Sequence, residues 1–485
     1  MLHYPERHIR RKHNIRILVA LFIFLYSSLL ALTGCGGAAT GSSANAGSGV
    51  YAGSSGASNT VAMNDPSGIN DPSSINNAVA AAAQTNGTVT ISSAMTLGAS
   101  LTIPSNVAVV FEKGGSIVKA SNYTLKIDGP FSAGLYQVFS GFNPGDVTFG
   151  PGSVEQVLPQ WWGADPTGVN DSAAAINAAI DSLITYQYNI INGQYVPGGS
   201  GIVYIPTGKY KILSSITGVY GVNLMGAGME AFNNAGTIIK PVGGITALDF
   251  SKQIGGFTVE DMTIDGGAIQ SGSTGVLVGG SGNNFSAKIS FNNVSFSNLD
   301  YAVNLQSCWW INFNNCNVKF NNIGVYSNLT SGGYIQNISF MNTRIAQNTN
   351  YGVYLPGGQN GINQFDFENC VVELNGITEM NIKDVGLLNI TSSWFERSTA
   401  STAIQISNSG PGVFVGNMFN GPYVNAITDG GKGNARYISI ENNKFASGIT
   451  NAVAFSASCD HVTLSGNYYG GANTILQGPY SSIQP

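Results

Sequence analysis

The stretch Ile311 to Val318, INFNNCNV, alternates apolar and polar residues, breaks at Asn315 and resumes an apolar residue at Val318. The same phrase recurs along the second half of the chain. Its copies are FTVEDMTI from Phe257, ISFNNVSF from Ile289, ISFMNTRI from Ile338, FDFENCVV from Phe365 and LNITSSWF from Leu388. VFVGNMF from Val413, ISIENNKF from Ile438 and VTLSGNYY from Val462 complete the series. Alternation over four residues is the signature of a strand with one face buried, and no copy is long enough for a helix. From Ile289 onward the copies follow one another at 22 to 27 residues.

Between copies lies a second short apolar run, as in Gly275-Val276-Leu277-Val278, Ala302-Val303-Asn304-Leu305, Gly324-Val325-Tyr326 and Gly352-Val353-Tyr354. Ala403-Ile404-Gln405-Ile406 and Ala452-Val453-Ala454-Phe455 continue it. A step near 25 residues with short strands and no helix predicts one coil of a parallel β-solenoid, each strand pairing with its counterpart in the next coil. A propeller blade needs roughly 40 residues and is excluded. The Asn shared at the fifth place (Asn293, Asn315, Asn342, Asn369, Asn417, Asn442) fits a tight corner. Asn tolerates left-handed backbone there and can hydrogen-bond along a stack.

Composition agrees. Of 485 residues 63 are Gly, 43% are hydrophobic and only 9% charged, which suits a folded chain of many turns and excludes a largely disordered one. The amino terminus is set apart. Arg7, Arg10, Arg11, Lys12 and Arg16 precede an apolar run from Ile17 to Leu32, then Leu32-Thr33-Gly34-Cys35. This is the layout of an export signal. Its ending resembles the bacterial lipobox, which implies cleavage before Cys35 and lipid attachment to that thiol, with the outer membrane or cell surface as destination. An uncleaved signal anchor is the alternative. Residues 35–72 read as a lipidated linker, since 41–60 are almost all Gly, Ser, Ala and Asn.

Without the first 34 residues the net charge falls from −5 to −9, because five basic residues and one acid leave. An acidic body whose arginines are Arg344, Arg397 and Arg436 offers no patch for a phosphate backbone, so nucleic acid is excluded as a partner. Cys308, Cys316, Cys370 and Cys459 match no zinc spacing, and His461 is the one histidine left, so no metal site is expected. The repeat puts Cys316 and Cys370 two coils apart, beyond disulfide reach, and buried free thiols are expected.

Ahead of the repeat, Trp161-Trp162-Gly163-Ala164-Asp165 leads to a helical stretch AAAINAAIDSL capped by Asp171 or Ser172, then GIVYIPTGKYKI and GVNLMGAG. Together with the coils this passage resembles the pectate-lyase-like right-handed parallel β-helix superfamily, in its tailspike, rhamnogalacturonase and epimerase-like branches, over about residues 160–470. The resemblance implies an all-β right-handed solenoid with a short N-terminal capping helix, here 160–475. It implies polysaccharide as the partner, handled by a hydrolase, lyase or epimerase without a cofactor, save Ca²⁺ for a lyase. The tailspike likeness also allows a homotrimer. Residues 73–159, with Ala-rich 74–83 and the runs GTVTI and LTIPSNVAVVF, read as a strand-rich subdomain that stacks onto or precedes the solenoid. The polygalacturonase motifs Asn-Thr-Asp, Asp-Asp, Gly-His-Gly and Arg-Ile-Lys are missing, which counts against that activity.

Counting the phrase start as zero, place eight holds Glu373 and Glu396 on neighbouring coils, about 5 Å apart at the backbone. Asp366 shares a coil with Glu373, and Arg397 follows Glu396. Two close carboxylates can separate into acid and base or nucleophile, so Glu373, Glu396 and Asp366 are the candidate catalytic residues. The alternative is two solvated acids, one paired with Arg397 or a nearby Lys. Tyr326 and Tyr354 take the same outward place in successive coils and, with Arg397, are candidate substrate-binding residues; stacked rings also stabilise sheets without any ligand. Trp309, Trp310 and Trp394 read as turn packing, and Glu260, Asp261, Asp265, Asp165 and Asp171 as structural. The function expected is a surface-anchored lipoprotein that binds polysaccharide and degrades or modifies it; a non-catalytic adhesive solenoid is the alternative from another class.

Overall fold

Three short parallel columns of side chains build the first part of the molecule. In the computed structural model, Thr88–Ile91, Ala94–Leu97 and Leu101–Ile103 make one coil, and Ala108–Phe111, Ser116–Lys119 and Leu125–Ile127 the next. Phe131–Ser132, Phe139–Ser140 and Val147–Phe149 make the third. Each strand pairs in parallel with its counterpart, so Val89, Val109 and Phe131 align, as do Met95, Ile117 and Phe139, and Ile103, Ile127 and Phe149. The structure describes residues 60–63 and 74–484, apart from 190–194, 230–234, 253, 282–283, 328, 330–332, 359–360, 397–400 and 432. Cys35, the export segment and Arg397 therefore lie outside the described residues.

The strand-rich region of 73–159 is thus a small three-sided solenoid in its own right, and Ser58–Pro485 forms one compact unit that includes it. Helix α1 (Ser74–Ala83) covers its first coil, burying Ile75, Ala78, Val79 and Ala82, the one-face spacing of an amphipathic helix. Helix α2 (Ala173–Asp181) lies where the first solenoid hands over to the second: Ser182, just past its end, accepts a hydrogen bond from Phe149 N at 2.8 Å. Its amino end is capped by Asp171, whose Oδ1 accepts from Ala173 N at 3.1 Å. Ser172 Oγ instead accepts from Asp165 N. Asp165 in turn accepts hydrogen bonds from Thr167 and Asn170, which hold its carboxyl well below the usual range. Among the described residues no helix is long and apolar enough to cross a membrane.

The second solenoid has an 11-stranded parallel sheet, from Ile216–Thr217 to Asn473–Leu476, and a 22-stranded sheet that contributes two strands to most coils and bends between them. The bend is the fifth place of the phrase. Asp261, Asn293, Asn315, Asn342, Asn369, Ser392, Gly416, Asn442 and Gly466 all have φ between 51° and 67° there. The Asn side chains run along the corner, as in Asn293 Nδ2 to Asp261 Oδ1 (2.6 Å) and Asn369 Nδ2 to Asn342 Oδ1 (2.7 Å). One coil departs from the sequence frame. Gly412, not Val413, pairs with Leu388 and Ile438, so Phe414 faces the core, Val413 faces solvent and Gly416 turns the corner. VFV reads as apolar-any-apolar, and one residue of slip exchanges the two faces of a strand.

Asn417 therefore belongs one place further on, inside the corner, with Cys316, Thr343, Cys370, Ser393, Asn443 and Asn467. These form a second, inward ladder: Cys370 N donates to Ser393 Oγ, Ser393 N to Asn417 Oδ1, Asn417 N to Asn443 Oδ1 and Asn443 N to Asn467 Oδ1. All four described cysteines are free and buried. Burial pushes the Cys316 thiol up to about 12 and Cys370 to about 11, which makes both inert at neutral pH. Behind the corner, Phe291, Phe313, Phe340 and Phe367 stack with centroids 4.7, 4.6 and 5.1 Å apart, all but fully buried.

Candidate functional site

The two glutamates at place eight stand opposite one another in register. Val371–Glu373 and Trp394–Glu396 are neighbouring parallel strands, with Glu373 opposite Glu396 and Glu396 opposite Asn420. Each carboxylate already has a partner. Glu373 Oε1 accepts from Arg344 Nε at 2.7 Å and Nη2 at 2.6 Å, two bonds from one guanidinium. Glu396 accepts from Trp394 Nε1 at 3.0 Å and Asn420 Nδ2 at 3.3 Å. The alternative of a carboxylate paired with a cation is thus what Glu373 adopts, but its cation is Arg344 from the preceding coil. Sequence reasoning missed it because the strand place six of Arg344 and place eight of Glu373 lie diagonally across two coils.

Asp366 is not brought to that pair. It lies in Phe365–Glu368, before the left-handed corner at Asn369, while Glu373 lies after it. Gln364 Nε2 and Asn389 Nδ2 each donate to Asp366 at 2.7 Å. Trp394 is 40% exposed on the strand of Glu396, and Trp310 is 49% exposed with Lys288 Nζ 5.4 Å from its ring centroid, so neither is packed into a turn. Trp309 does pack, between Phe285 at 4.1 Å and Tyr334 at 5.5 Å.

Tyr326 and Tyr354 occupy a different face. They stand outward on the 11-stranded sheet, half-buried, in the fourth place of the strands Ile323–Ser327 and Tyr351–Leu355. Tyr326 lies between Tyr301 (4.8 Å) and Tyr354 (6.0 Å), and Tyr351 lies 4.6 Å from Tyr354. Burial and the two flanking phenols push the Tyr326 hydroxyl upward, so it stays protonated. The rings follow one another along the solenoid axis, Tyr301 tilted at 36° to Tyr326 and Tyr354 at 26° to it. In register with the two tyrosines stand amides: Asn304, Tyr326, Tyr354, Asn381 and Gln405 follow one another coil by coil, and the next place is the buried Thr428. Five successive coils carry partly exposed, uncharged hydrogen-bonding side chains at one place.

Beside this column, where its strands turn toward the 22-stranded sheet, lies an open groove of about 370 Å³ lined by Gly358, Gly361, Asn363, Asp384, Gly386 and Asn408, among others. Asp384 Oδ1 accepts from Asn408 Nδ2 at 2.6 Å and Oδ2 from Gly358 N at 3.2 Å. Among the described residues no group of three or more His, Cys, Asp or Glu is placed to hold a metal ion. Asp261 and Asp265 take structural places: Asp261 accepts from Asn293, and Asp265 from Ser297, Asn298 and Gly267.

A parallel β-solenoid of this build is the class that fold and faces define. Residues 161–370 match the family model described as "Rhamnogalacturonase A/epimerase, pectate lyase-like". The A-module of the Azotobacter vinelandii mannuronan C-5 epimerase AlgE4 is similar at 16% identity and a TM-score of 0.46, over 68% of this chain and 100% of that one. The catalytic unit of a GH87 α-1,3-glucanase from Streptomyces thermodiastaticus is similar at 17% identity and 0.44, over 69% and 70%. PfbA, a surface adhesin of Streptococcus pneumoniae, is similar at 13% identity and 0.43, over 67% and 91%. No curated protein matches the chain.

Proposed function

We propose that the protein is an exported lipoprotein, anchored through Cys35, that binds a polysaccharide along the outer face of its 11-stranded sheet. The observation that carries the reading is the column Asn304, Tyr326, Tyr354, Asn381 and Gln405, neutral hydrogen-bonding groups at one place on five coils. Sugars present dense, uncharged hydroxyls, and amides can serve them as donor and acceptor at once. A repeating column suits a repeating polymer laid along the axis, each coil advancing about 4.8 Å. The groove at Asp384 and Asn408 opens at the side of this column and offers a carboxylate to the polymer's hydroxyl donors. The matched family takes its name from a rhamnogalacturonase, an epimerase and a pectate lyase, which favours polysaccharide over other polymers.

Affinity electrophoresis and calorimetry across neutral and acidic polysaccharides test the reading. Asn381→Ala with Gln405→Ala removes two amide partners, each contributing about 0.5–1.5 kcal/mol net, so roughly tenfold weaker binding is expected. Unchanged affinity for every bound polymer would sink the proposed face. Turnover is a second reading, favoured by the register pairing of Glu373 with Glu396. Reducing ends or unsaturated products that vanish in Glu396→Gln would establish it, and product from that variant at the wild-type rate would dismiss the pair. The anchor is checked separately: Cys35→Ala should move the protein from the membrane to the soluble fraction.

A further inference from the structure

Inside the solenoid the second place of the strands between the first and last of the 11-stranded sheet is Gly or Ala, with one exception. It holds Ala247, Gly275, Ala302, Gly324, Gly352, then Glu379, then Ala403, Ala426 and Ala452. The reason is spatial. A Cβ on Gly352 would lie 2.7 Å from Asn375 Nδ2, and one on Gly324 would lie 3.1 Å from Asn348 Nδ2. Those asparagines form a buried ladder of their own, distinct from both corner ladders. Asn321 N and Nδ2 each donate to Asn348 Oδ1 at 3.0 Å, and Asn348 N and Nδ2 donate to Asn375 Oδ1 at 3.0 and 2.8 Å. The next coil carries Ser398 at the equivalent sequence position, so Asn375 has no fourth asparagine to donate to.

Glu379 fills that role. Its Oε2 accepts from Asn375 N at 3.2 Å and from Asn375 Nδ2, the same pair of bonds that each ladder amide accepts from the coil before. The residue is fully buried, and the Tyr423 hydroxyl interacts with its carboxyl. Neighbouring places in its column, Gly352 and Ala403, bring no charge. Glu373 is the carboxylate that bears on it, already paired with Arg344, and Tyr423 is the other titratable group facing it. An ionised carboxylate in such surroundings lacks a cation, whereas a neutral acid supplies the carbonyl acceptor that the ladder needs.

We infer that Glu379 is held as a neutral carboxylic acid standing in for a fourth ladder asparagine, and that loss of its proton to solvent at alkaline pH loosens the solenoid at this coil. Burial, reinforced by Glu373 and opposed by the Asn375 and Tyr423 hydrogen bonds, pushes the carboxyl up to about 8. The folded protein then holds this proton more tightly than the unfolded chain does. Its contribution to stability is complete below about 4.5 and is lost as pH rises through about 8. The joint is adjacent to the outward column, since Glu379 and Asn381 share the strand Thr378–Lys383.

The test compares thermal unfolding of the detergent-solubilised full chain and its Glu379→Gln variant from pH 5 to 9. A glutamine keeps the carbonyl acceptor and cannot ionise. The two melting temperatures should agree at pH 5 and separate by several degrees at pH 9, the wild type lower. Parallel curves across the range would overturn the inference. Should the variant fail to fold, infrared difference spectra of the wild type decide: a protonated carboxyl stretch present at pH 6.5 and gone at pH 9 supports it, and its absence at pH 6.5 overturns it.

Discussion

The short solenoid of 88–149 and the long one behind it use the same parallel pairing and differ in how they fill the inside. In the short one the three columns widen together, from Val89, Met95 and Ile103 to Phe131, Phe139 and Phe149. The three phenyl rings therefore converge from three faces and meet Trp161 and Trp162, mostly edge-on or tilted: Phe131 to Trp161 is 4.8 Å at 63°, Phe139 to Trp162 is 5.0 Å at 46°. In the long one the inner rings run in separate columns along the axis and mostly stack nearly parallel, Phe313 on Phe340 at 4° and Phe419 on Phe445 at 11°. The long solenoid also threads polar ladders through its interior, while the short one closes on apolar contacts. Convergence makes a plug between the two bodies; repetition makes a column of indefinite length.

Breaking the plug should cost most. Trp161→Ala removes ring contacts to Phe131 and Phe149 and the hydrogen bond from Trp161 Nε1 to Gly134 O at 3.1 Å. Large-to-small changes at such sites cost about 3–5 kcal/mol, and the lost hydrogen bond leaves a carbonyl to be satisfied. Denaturant unfolding should show a lower midpoint and, because the plug joins two bodies, a separation into two transitions. Phe340→Ala in the parallel column should cost a similar or slightly smaller amount but leave a single transition. A single transition in both variants would mean that the plug does not couple the bodies.

The ladders come next. Asn348→Leu deletes the acceptor of Asn321 N and Nδ2 and the donors to Val318 O and Asn375 Oδ1. Each buried group left unpaired costs about 1–3 kcal/mol, so the loss should exceed that of any outer-corner change, as measured by denaturant midpoint. At the outer corner Asn315 sits at φ 53° with its side chain exposed. Asn315→Gly should be within a few tenths of a kcal/mol of wild type, whereas Asn315→Val should lose about 1–2 kcal/mol, because a branched side chain resists left-handed backbone. An equal penalty for both would place the cost in the amide hydrogen bond and not in the backbone.

How far the sequence revealed this follows from the same contrast. Period, strand alternation and the left-handed corner are local, one-dimensional properties, so Asn293, Asn315, Asn342 and Asn369 could be assigned to the corner before any fold was known. The frame failed at Val413 because a glycine replaced the core residue and left the alternation ambiguous. The inner ladder was legible only in part: Asn321, Asn348 and Asn375 share place ten of their coils, but a lone Glu in a column of Gly and Ala gains meaning only once the column is seen to face inward. The site was less legible still. Register put Glu373 opposite Glu396, yet the corner at Asn369 turns Asp366 away, and nothing in spacing says that Arg344 reaches forward to Glu373.

That ion pair supplies the smallest effect and the sharpest question about the glutamate face. Arg344 is 39% exposed and Glu373 16%. A pair so open to solvent contributes at most about 1 kcal/mol, so Arg344→Ala should barely move the unfolding midpoint. Its consequence lies in the carboxylate. With the guanidinium gone, Glu373 keeps its register place opposite Glu396 and loses its cation. A double-mutant cycle read by denaturant midpoint should then show Glu396→Gln stabilising Arg344→Ala more than it stabilises the wild type. Equal effects in both backgrounds would make the column two separate surface acids; a larger gain in Arg344→Ala would make the face an acid pair whose repulsion Arg344 offsets.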